Sequence, residues 1–534
     1  MSKWIADIEF EIPQRSGEVF CVPSAREFVA TAGRNAELLA AATLTLDGMP
    51  LREVRRQSRR HAFDAASAYA RQIGIDAPPP AADALLLATG HQPFFFHPGI
   101  WIKHLLVERL AGTEVAAISV PVDNDAAEEI GVDVPHLDGG PSASLGTGLR
   151  MVREIMVQVP SDVPYEAQSP PSPQAWQEFL RRVDAHLRTL PAADVRDAFD
   201  KFARRNAALG GASDIGTFMT MARRRYEGAS RYLELPVSQL AQGPTFQRFV
   251  VHILRHAERF AQCYNRHLVA YRERYNVRTA AQPFPNLEID GPRVELPFWI
   301  LQEGRRQPLY AERIPHGWRL WASGTAVGTV RDDDAVDDVT ALPIRPRALT
   351  LTAFTRLCLA DLFVHGVGGG RYDRVTDAVI REFFGLEPPA YAVVTATLHL
   401  PLAEYDVVEE RRRLQRQLLD LQHNPERALS SRQSSAQRVP APLQALVDEK
   451  WRLIATLDGG VMTRRERRQV TQRIREINEV LARTLDEERR VLERRLAALE
   501  RVGDVTAATH RGYPYCFFPP QAVDTLVERM LAGA

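Results

Sequence analysis

The sequence is short of cysteine, of charge imbalance and of long apolar runs, and each shortage removes a class of protein. Only four cysteines occur in 534 residues: Cys21, Cys263, Cys358 and Cys516. No two form a CxxC pair and no His/Cys spacing resembles a zinc site, so neither a disulfide framework nor a zinc module is expected. Basic and acidic side chains number 67 each, so no net charge draws the chain toward nucleic acid or an anionic membrane. The opening stretch "MSKWIADIEFEIPQRSG" breaks its apolar clusters with charges and has no signal-peptide core. No uninterrupted apolar run is long enough to cross a bilayer. Neither a Walker A loop nor the G-x-G-x-x-G fingerprint is present, and no nucleophilic triad stands out. A cytoplasmic enzyme or binding protein is the expectation.

Hydrophobic residues make up 45 % of the chain, enough for a sizeable core, and the length implies two to four structural units. Residues 1–80 read as mainly helical, closed by Pro78, Pro79 and Pro80, which cannot continue a helix. The first part of an α/β core spans 81–165. "ALLLA" (84–88) is short, apolar on both faces and bounded by turn formers, as buried parallel strands are. A helix follows over 98–111, with Pro98 in its first turn and Gly112 ending it. "VAAISVPVD" (115–123) is the next strand, which completes a βαβ unit of the kind that builds parallel sheets.

A helical insertion is expected over 166–283 and a small antiparallel β insertion over 284–335, where apolar and polar residues alternate between glycine turns. The α/β pattern resumes over 336–401, with "DLFVHG" a strand, "GVGGGRYD" a glycine-rich loop and "DRVTDAVIREFFG" a helix. From 402 to 502 the chain is charged and helical. Thr463 and Glu466 have the capping-box spacing. Val470, Ile474, Ile477, Leu481, Leu485, Leu492, Leu496 and Leu499 form a narrow stripe that argues a projecting coiled-coil hairpin. Residues 503–534, with the aromatic "RGYPYCFFPPQ", are expected to return to the core. The fold class is α/β: a parallel-sheet core interrupted by helical and small β insertions, plus a projecting α-helical coiled coil.

Three stretches have residues for chemistry. In "TGHQPFFFHPG" (89–99) a glycine-containing turn leads from a parallel strand into a helix. Such a turn gathers free N–H groups and the positive helix end, and it binds anions. Thr89, Gly90, Gln92 and Gly99 shape it, His91 and His97 add N–H donors, and Lys103 adds charge where it faces the site. The plainer alternative has the phenylalanines plugging the core and the histidines satisfying turn backbone. Two histidines bracketing one turn at a strand's carboxyl end favour the site.

In "VDNDAAEE", Asp123 ends the second strand on the same sheet edge as His91, and Asn124 and Asp125 follow. Acids there hold an amine, a ribose or Mg²⁺, or equally cap a helix. In "HGVGGGRYD" (365–373), Gly366, Gly368, Gly369 and Gly370 let backbone approach a ligand, and Asp373 is a further substrate candidate. Arg345 and Arg347 have the fork that clamps a carboxylate or phosphate, although arginines beside prolines are more often surface residues. Arginine clusters at 411–413 and 464–468 suggest RNA, but interleaved acids favour a solvated helix face.

These motifs resemble the bacillithiol biosynthesis cysteine-adding enzyme family (BshC-like). Its "TGQQ" turn after the first strand matches Thr89-Gly90-His91-Gln92. Its acidic "EDHD"-like segment matches Val122-Asp123-Asn124-Asp125, and its late "VGGPGE"-like loop matches Val367-Gly368-Gly369-Gly370. His91 stands where the family has glutamine. The stretch "HQPFFFHPGIWIK" is also similar to the start of WbqC-like proteins.

The resemblance implies a Rossmann-like nucleotidyltransferase core related to class I aminoacyl-tRNA synthetases, with connecting insertions and a dimerising coiled coil. It implies that His91 and His97 take the part of the synthetases' His-x-Gly-His turn, which holds ATP phosphates. The implied activity is a ligase that uses ATP to join an amino acid, cysteine among the candidates, to an amine-bearing acceptor. His91, His97 and Asp123 would be catalytic. Thr89, Gly90, Gln92, Gly99, Lys103 and the four glycines from Gly366 to Gly370 would bind the nucleotide. Asn124, Asp125, Arg345, Arg347 and Asp373 would bind substrate. Mg²⁺ suits such chemistry, although the sequence offers no ligand set for it. The expected partners are a small-molecule substrate and a second copy of the chain, with no membrane and no nucleic acid. The rival from another class is a non-catalytic nucleotide- or small-molecule-binding scaffold that dimerises through the hairpin.

Overall fold

The inner strands of the sheet read as apolar on both faces because helices cover both. The computed structural model describes residues 8–77, 79–81, 83–139, 148–228, 231–275, 277, 284–402, 405–433, 440–459, 464–500 and 505–533. Its central sheet has six strands: β1 (Val19–Val22), β2 (Leu85–His91), β3 (Val115–Pro121), β4 (Leu233–Glu234), β5 (Leu362–His365) and β6 (Ala392–Ala396). They lie in the order β1-β6-β5-β2-β3-β4. β2 to β6 run parallel, and β1 adds to β6 antiparallel. From β2 the chain winds outward through β3 to β4, then returns to the other side of β2 for β5 and β6. The winding reverses between β2 and β5. In open α/β sheets such a reversal opens a crevice at the carboxyl ends of the two inner strands, and this mixed sheet is consistent with a Rossmann-like core.

Leu86, Ala116 and Ile118 point to one core, with α1 (Leu51–Gln72) against it. Leu87 and Ala117 point to the other, with α2 (Pro98–Leu110) against it. Residues 101–107 of α2 are all buried, because the sheet lies on one side of the helix and the C-terminal helix Pro520–Ala532 packs on another. A helical stretch enclosed on every side carries its polar residues inside, and over 101–107 these are Lys103 and His104. The aromatic C-terminal segment does return to the core. The Tyr515 amide donates to Phe96 O at 2.8 Å, and the Tyr515 ring meets Phe95, Phe96 and Trp101.

Several expectations are corrected. β2 runs through His91, so Thr89, Gly90 and His91 are strand and not turn. Pairing continues because Gly90 lies opposite Val120, where a Cβ would come within 2.6 Å of a carbonyl oxygen. The glycine-rich stretch is not a loop. Helix α4 (Val367–Phe383) begins inside it, with Gly366 as its N-cap, and a Cβ on Gly370 would overlap Val393. The β insertion forms as expected from Arg293–Gln302 to Thr325–Arg331, and its sheet takes in Ile344–Pro346 as well. A hairpin of Glu129–Leu137 with Leu149–Gln158 and the edge strand β1 were not foreseen.

The arm contains helices Tyr405–His423, Pro425–Gln433, Ala441–Gly459, Arg464–Arg483 and Asp486–Glu500. The apolar stripe is split between the last two. Ile477, Leu481 and Leu485 pack with Leu421, Leu429 and Val447 of the same chain. The arm's helices thus share a small core of their own. Thr463 of the expected capping box lies outside the described residues. No helix among the described residues is long and apolar enough to cross a membrane.

Candidate functional site

The two strands that flank the winding reversal both end in histidine, β2 at His91 and β5 at His365. Lys103 reaches from α2 and donates through Nζ to Gly90 O at 3.0 Å. The residue is 2 % exposed, and burial pushes its amine down to about 7. It forms no ion pair among the described residues. Its charge helps to push down His91, His97, His104 and His365, behind burial in each case. Arg511 arrives with the C-terminal segment and donates through Nη2 to Thr395 Oγ1 at 3.2 Å and Ala396 O at 3.0 Å. It too has no carboxylate partner among the described residues, and burial lowers its pKa. His97 feels both cations. Cations withdrawn from water without a carboxylate are costly, and an anionic ligand removes that cost.

The imidazoles are neutral near pH 7. Burial, then Lys103, pushes His91 down to about 3; burial, then Arg511 and Lys103, does the same to His97. His91 Nδ1 lies 3.3 Å from Gln92 O, which puts the proton on Nδ1 and the lone pair on Nε2. His97 is the N-cap of α2, and its Nδ1 accepts the Gly99 amide at 3.0 Å, which puts the proton on Nε2.

That cap overturns one expectation. Pro98 has no N–H, the Gly99 amide is taken, and the Ile100 and Trp101 amides bond His97 O at 2.9 and 3.1 Å. The start of α2 therefore offers no open amide to an anion. Gly99 serves close packing instead, since a Cβ there would overlap Ala396 O. Thr89 also faces the chain, donating through Oγ1 to Val364 O at 2.9 Å. The first-turn amides of α4, from Val367 to Gly369, are the ones without intrahelical acceptors. A Cβ on Gly366 or Gly368 would meet nothing within 4 Å, and Gly369 lies against His365.

The expected substrate-binding residues are engaged with the chain's own segments. The Asp123 carboxylate accepts the Ser238 amide at 2.9 Å and the Ser238 hydroxyl. Burial, then Glu166, pushes it up to about 7. Asn124 Nδ2 donates to Pro346 O at 2.7 Å. Asp125 accepts from Gln92 at 2.9 Å and Arg306 at 2.6 Å. Arg345 pairs with Glu166 at 2.8 Å and Arg347 with Glu295 at 2.6 Å. Asp373 accepts from Arg356 at 2.6 Å and lies 3.0 Å from His365 Nε2. Burial alone would raise Asp373, but Arg356 and His365 overcome it and hold the carboxylate well below its usual range. Asp373 thus positions His365. These bonds bolt the insertions to the sheet and leave no set of free carboxylates for Mg²⁺ at the crevice among the described residues. Among the described residues, Cys263, His267 and Glu382 are placed to share a metal, and Glu382 is at the far end of α4.

A hollow adjoins the crevice on the β3 side. His91, Phe96, His104 and Ser119 line it, with Thr220 and Arg223 from α3 (Ile215–Glu227). It measures about 250 Å³ to its open mouth, and its enclosed part has room for about one water. Sequence reasoning missed His104, Ser119, Arg223, His365 and Arg511. The signal for His365 was present, since "DLFVH" ends in histidine as "LLLATGH" does. Ser119 is the one polar residue in "VAAISVP".

The fold and site define an α/β protein whose switch-point crevice holds one buried and one half-buried basic side chain, Lys103 and Arg511, without acid partners among the described residues. No family model and no curated protein matches the chain.

Proposed function

We propose that the crevice between β2 and β5 binds the phosphates of ATP, and that the chain is a BshC-like ligase joining an amino acid to an amine-bearing acceptor. The observation that carries this is the placing of Lys103, which is buried, and Arg511, which is half-buried, at the carboxyl ends of the inner strands with no carboxylate partner among the described residues. Bound ATP would supply an electrophilic phosphorus: the amino-acid carboxylate attacks it, pyrophosphate leaves, and the acceptor amine then displaces AMP. Lys103 and Arg511 balance phosphate charge, His97 donates its Nε2–H, and the first-turn amides of α4 add donors. His91, held neutral, contributes hydrogen bonding and not charge. His365, held by Asp373, keeps the end of β5 in place. No step is assigned to Mg²⁺, since Asp123, Asp125 and Asp373 are all engaged within the chain.

Exchange of labelled pyrophosphate into ATP, dependent on an added amino acid, tests the proposal. Exchange in the wild type and its loss in Lys103→Met support it. The rival is a nucleotide-binding protein without turnover. It is favoured by one observation: Asp123, Asp125 and Asp373 are all bonded within the chain, so none is free as a general base. ATP binding with no exchange under any amino acid would establish that rival. For a second copy of the chain, the arm is the proposed contact, since Leu419, Trp451, Val480 and Val491 stay exposed on its helices.

A further inference from the structure

The hollow beside β3 is walled by polar atoms that lack partners. Ser119 Oγ and both ring nitrogens of His104 are buried and bonded to nothing in the chain, and so is Glu234 Oε2. Ser119 and His104 line the hollow at 1 % and 2 % exposure. Ser119 and Glu234 are register partners on β3 and β4, so their side chains stand side by side on one face of the sheet. Buried polar atoms in folded proteins are nearly always paired. Several left unpaired around one hollow call for a partner from outside the chain.

Charge narrows the chemistry of that partner. Arg223 and Arg224 face Glu227 and Glu234, two cations against two anions. Burial, then Arg223, keeps His104 neutral. An entering carboxylate would add an anion beside Glu234, the register neighbour of Ser119, and an entering ammonium would meet Arg223, which lines the hollow. A neutral group upsets neither. It must also give and take hydrogen bonds. A neutral imidazole offers one N–H and one lone pair, a serine hydroxyl offers both, and Glu234 Oε2 only accepts. The Phe96 ring, stacked on His104 at 5.4 Å, closes one wall and keeps the space small. The smallest neutral group that both donates and accepts is a hydroxyl.

We infer that this hollow is a specificity pocket for a small hydroxyl-bearing side group of the substrate whose charged end lies in the crevice. His91 joins the two regions, since it lines the hollow and feels Lys103. The inference rests on the crevice being the anion site. A site built to bond a hydroxyl rejects the analogue that lacks it far more strongly than an apolar pocket does.

The test is calorimetric titration of L-serine and of L-alanine into the full-length protein, in the presence of α,β-methylene-ATP. Serine is expected to bind about tenfold or more tighter than alanine. Ser119→Ala should bring the two affinities within about threefold of each other, and His104→Phe, which keeps a ring against Phe96, should do the same. Retained binding of the ATP analogue shows that each variant is folded. Equal affinities in the wild type, no binding of either amino acid, or a preference that survives Ser119→Ala would overturn the inference and leave the hollow a water site. Failure of the crevice proposal appears separately, as absence of binding by the ATP analogue itself.

Discussion

Lys103 donates to the carbonyl oxygen of Gly90 at 3.0 Å from the fully buried stretch of α2, and no carboxylate pairs with it among the described residues. An amine so placed lowers stability until an anion arrives. Replacing it removes the cost and the function together. Lys103→Met is expected to raise the melting temperature of the free protein while weakening ATP binding by about tenfold or more, the worth of one charge-assisted hydrogen bond. Scanning calorimetry and titration calorimetry on one preparation check both halves.

Arg511 belongs to a segment anchored separately by Tyr515, whose amide bonds Phe96 O at 2.8 Å. Arg511→Gln is therefore expected to leave the fold intact and to weaken ATP binding by about tenfold. Unchanged near-ultraviolet circular dichroism, which reports the aromatic cluster, would accompany the loss of affinity in the titration.

The neutral histidines set a response to acid. His91 and His97 are pushed down to about 3, against an ordinary value of 6.5. Between those values the unfolded chain binds more protons than the folded one. Stability is therefore full above about pH 6.5 and is lost as pH falls toward 3. Asp123, pushed up to about 7, acts in the opposite sense, so the comparison is between variants. His97→Asn, which preserves an N-cap side chain, should lose less stability than the wild type between pH 7 and pH 5 in urea titrations.

The arm's apolar stripe packs within the chain, which leaves Trp451, 51 % exposed, as the largest exposed apolar side chain among the arm's described residues. Trp451→Glu is expected to convert a dimer to a monomer in sedimentation velocity without altering ATP affinity.

Much of the core could be read from the residues. Buried parallel strands are short continuous apolar runs, which is why "ALLLA" and "VAAISVP" were legible, and Pro98 marked the start of α2. β4 has only two residues, and β1 is a four-residue edge with no alternation in its burial, so neither carries a periodic signal. The glycines of α4 looked like a loop because glycine disfavours helix interiors, but a first turn has few intrahelical bonds to weaken. Leu and Ile at threes and fours serve a bundle as well as a coiled coil, so the arm's pairing was not specified.

In the site, His91, His97 and Lys103 were legible from their place around a strand-to-helix junction. The fate of Asp125 and Arg345 was not. Their partners, Arg306 and Glu166, lie well over a hundred residues away along the chain, where no local pattern reaches. Arg511 enters the crevice only because an aromatic tail folds back.

The most direct measurement is the proton uptake that accompanies ATP binding at pH 8, from calorimetry in two buffers of different ionisation enthalpy. With its amine pushed down to about 7, Lys103 is mostly neutral in the free protein at that pH, and a phosphate beside it restores its charge. The predicted result is uptake approaching about one proton per ATP bound, abolished in Lys103→Met. ATP that fails to bind, or binds with no proton taken up, would contradict the assignment of the crevice.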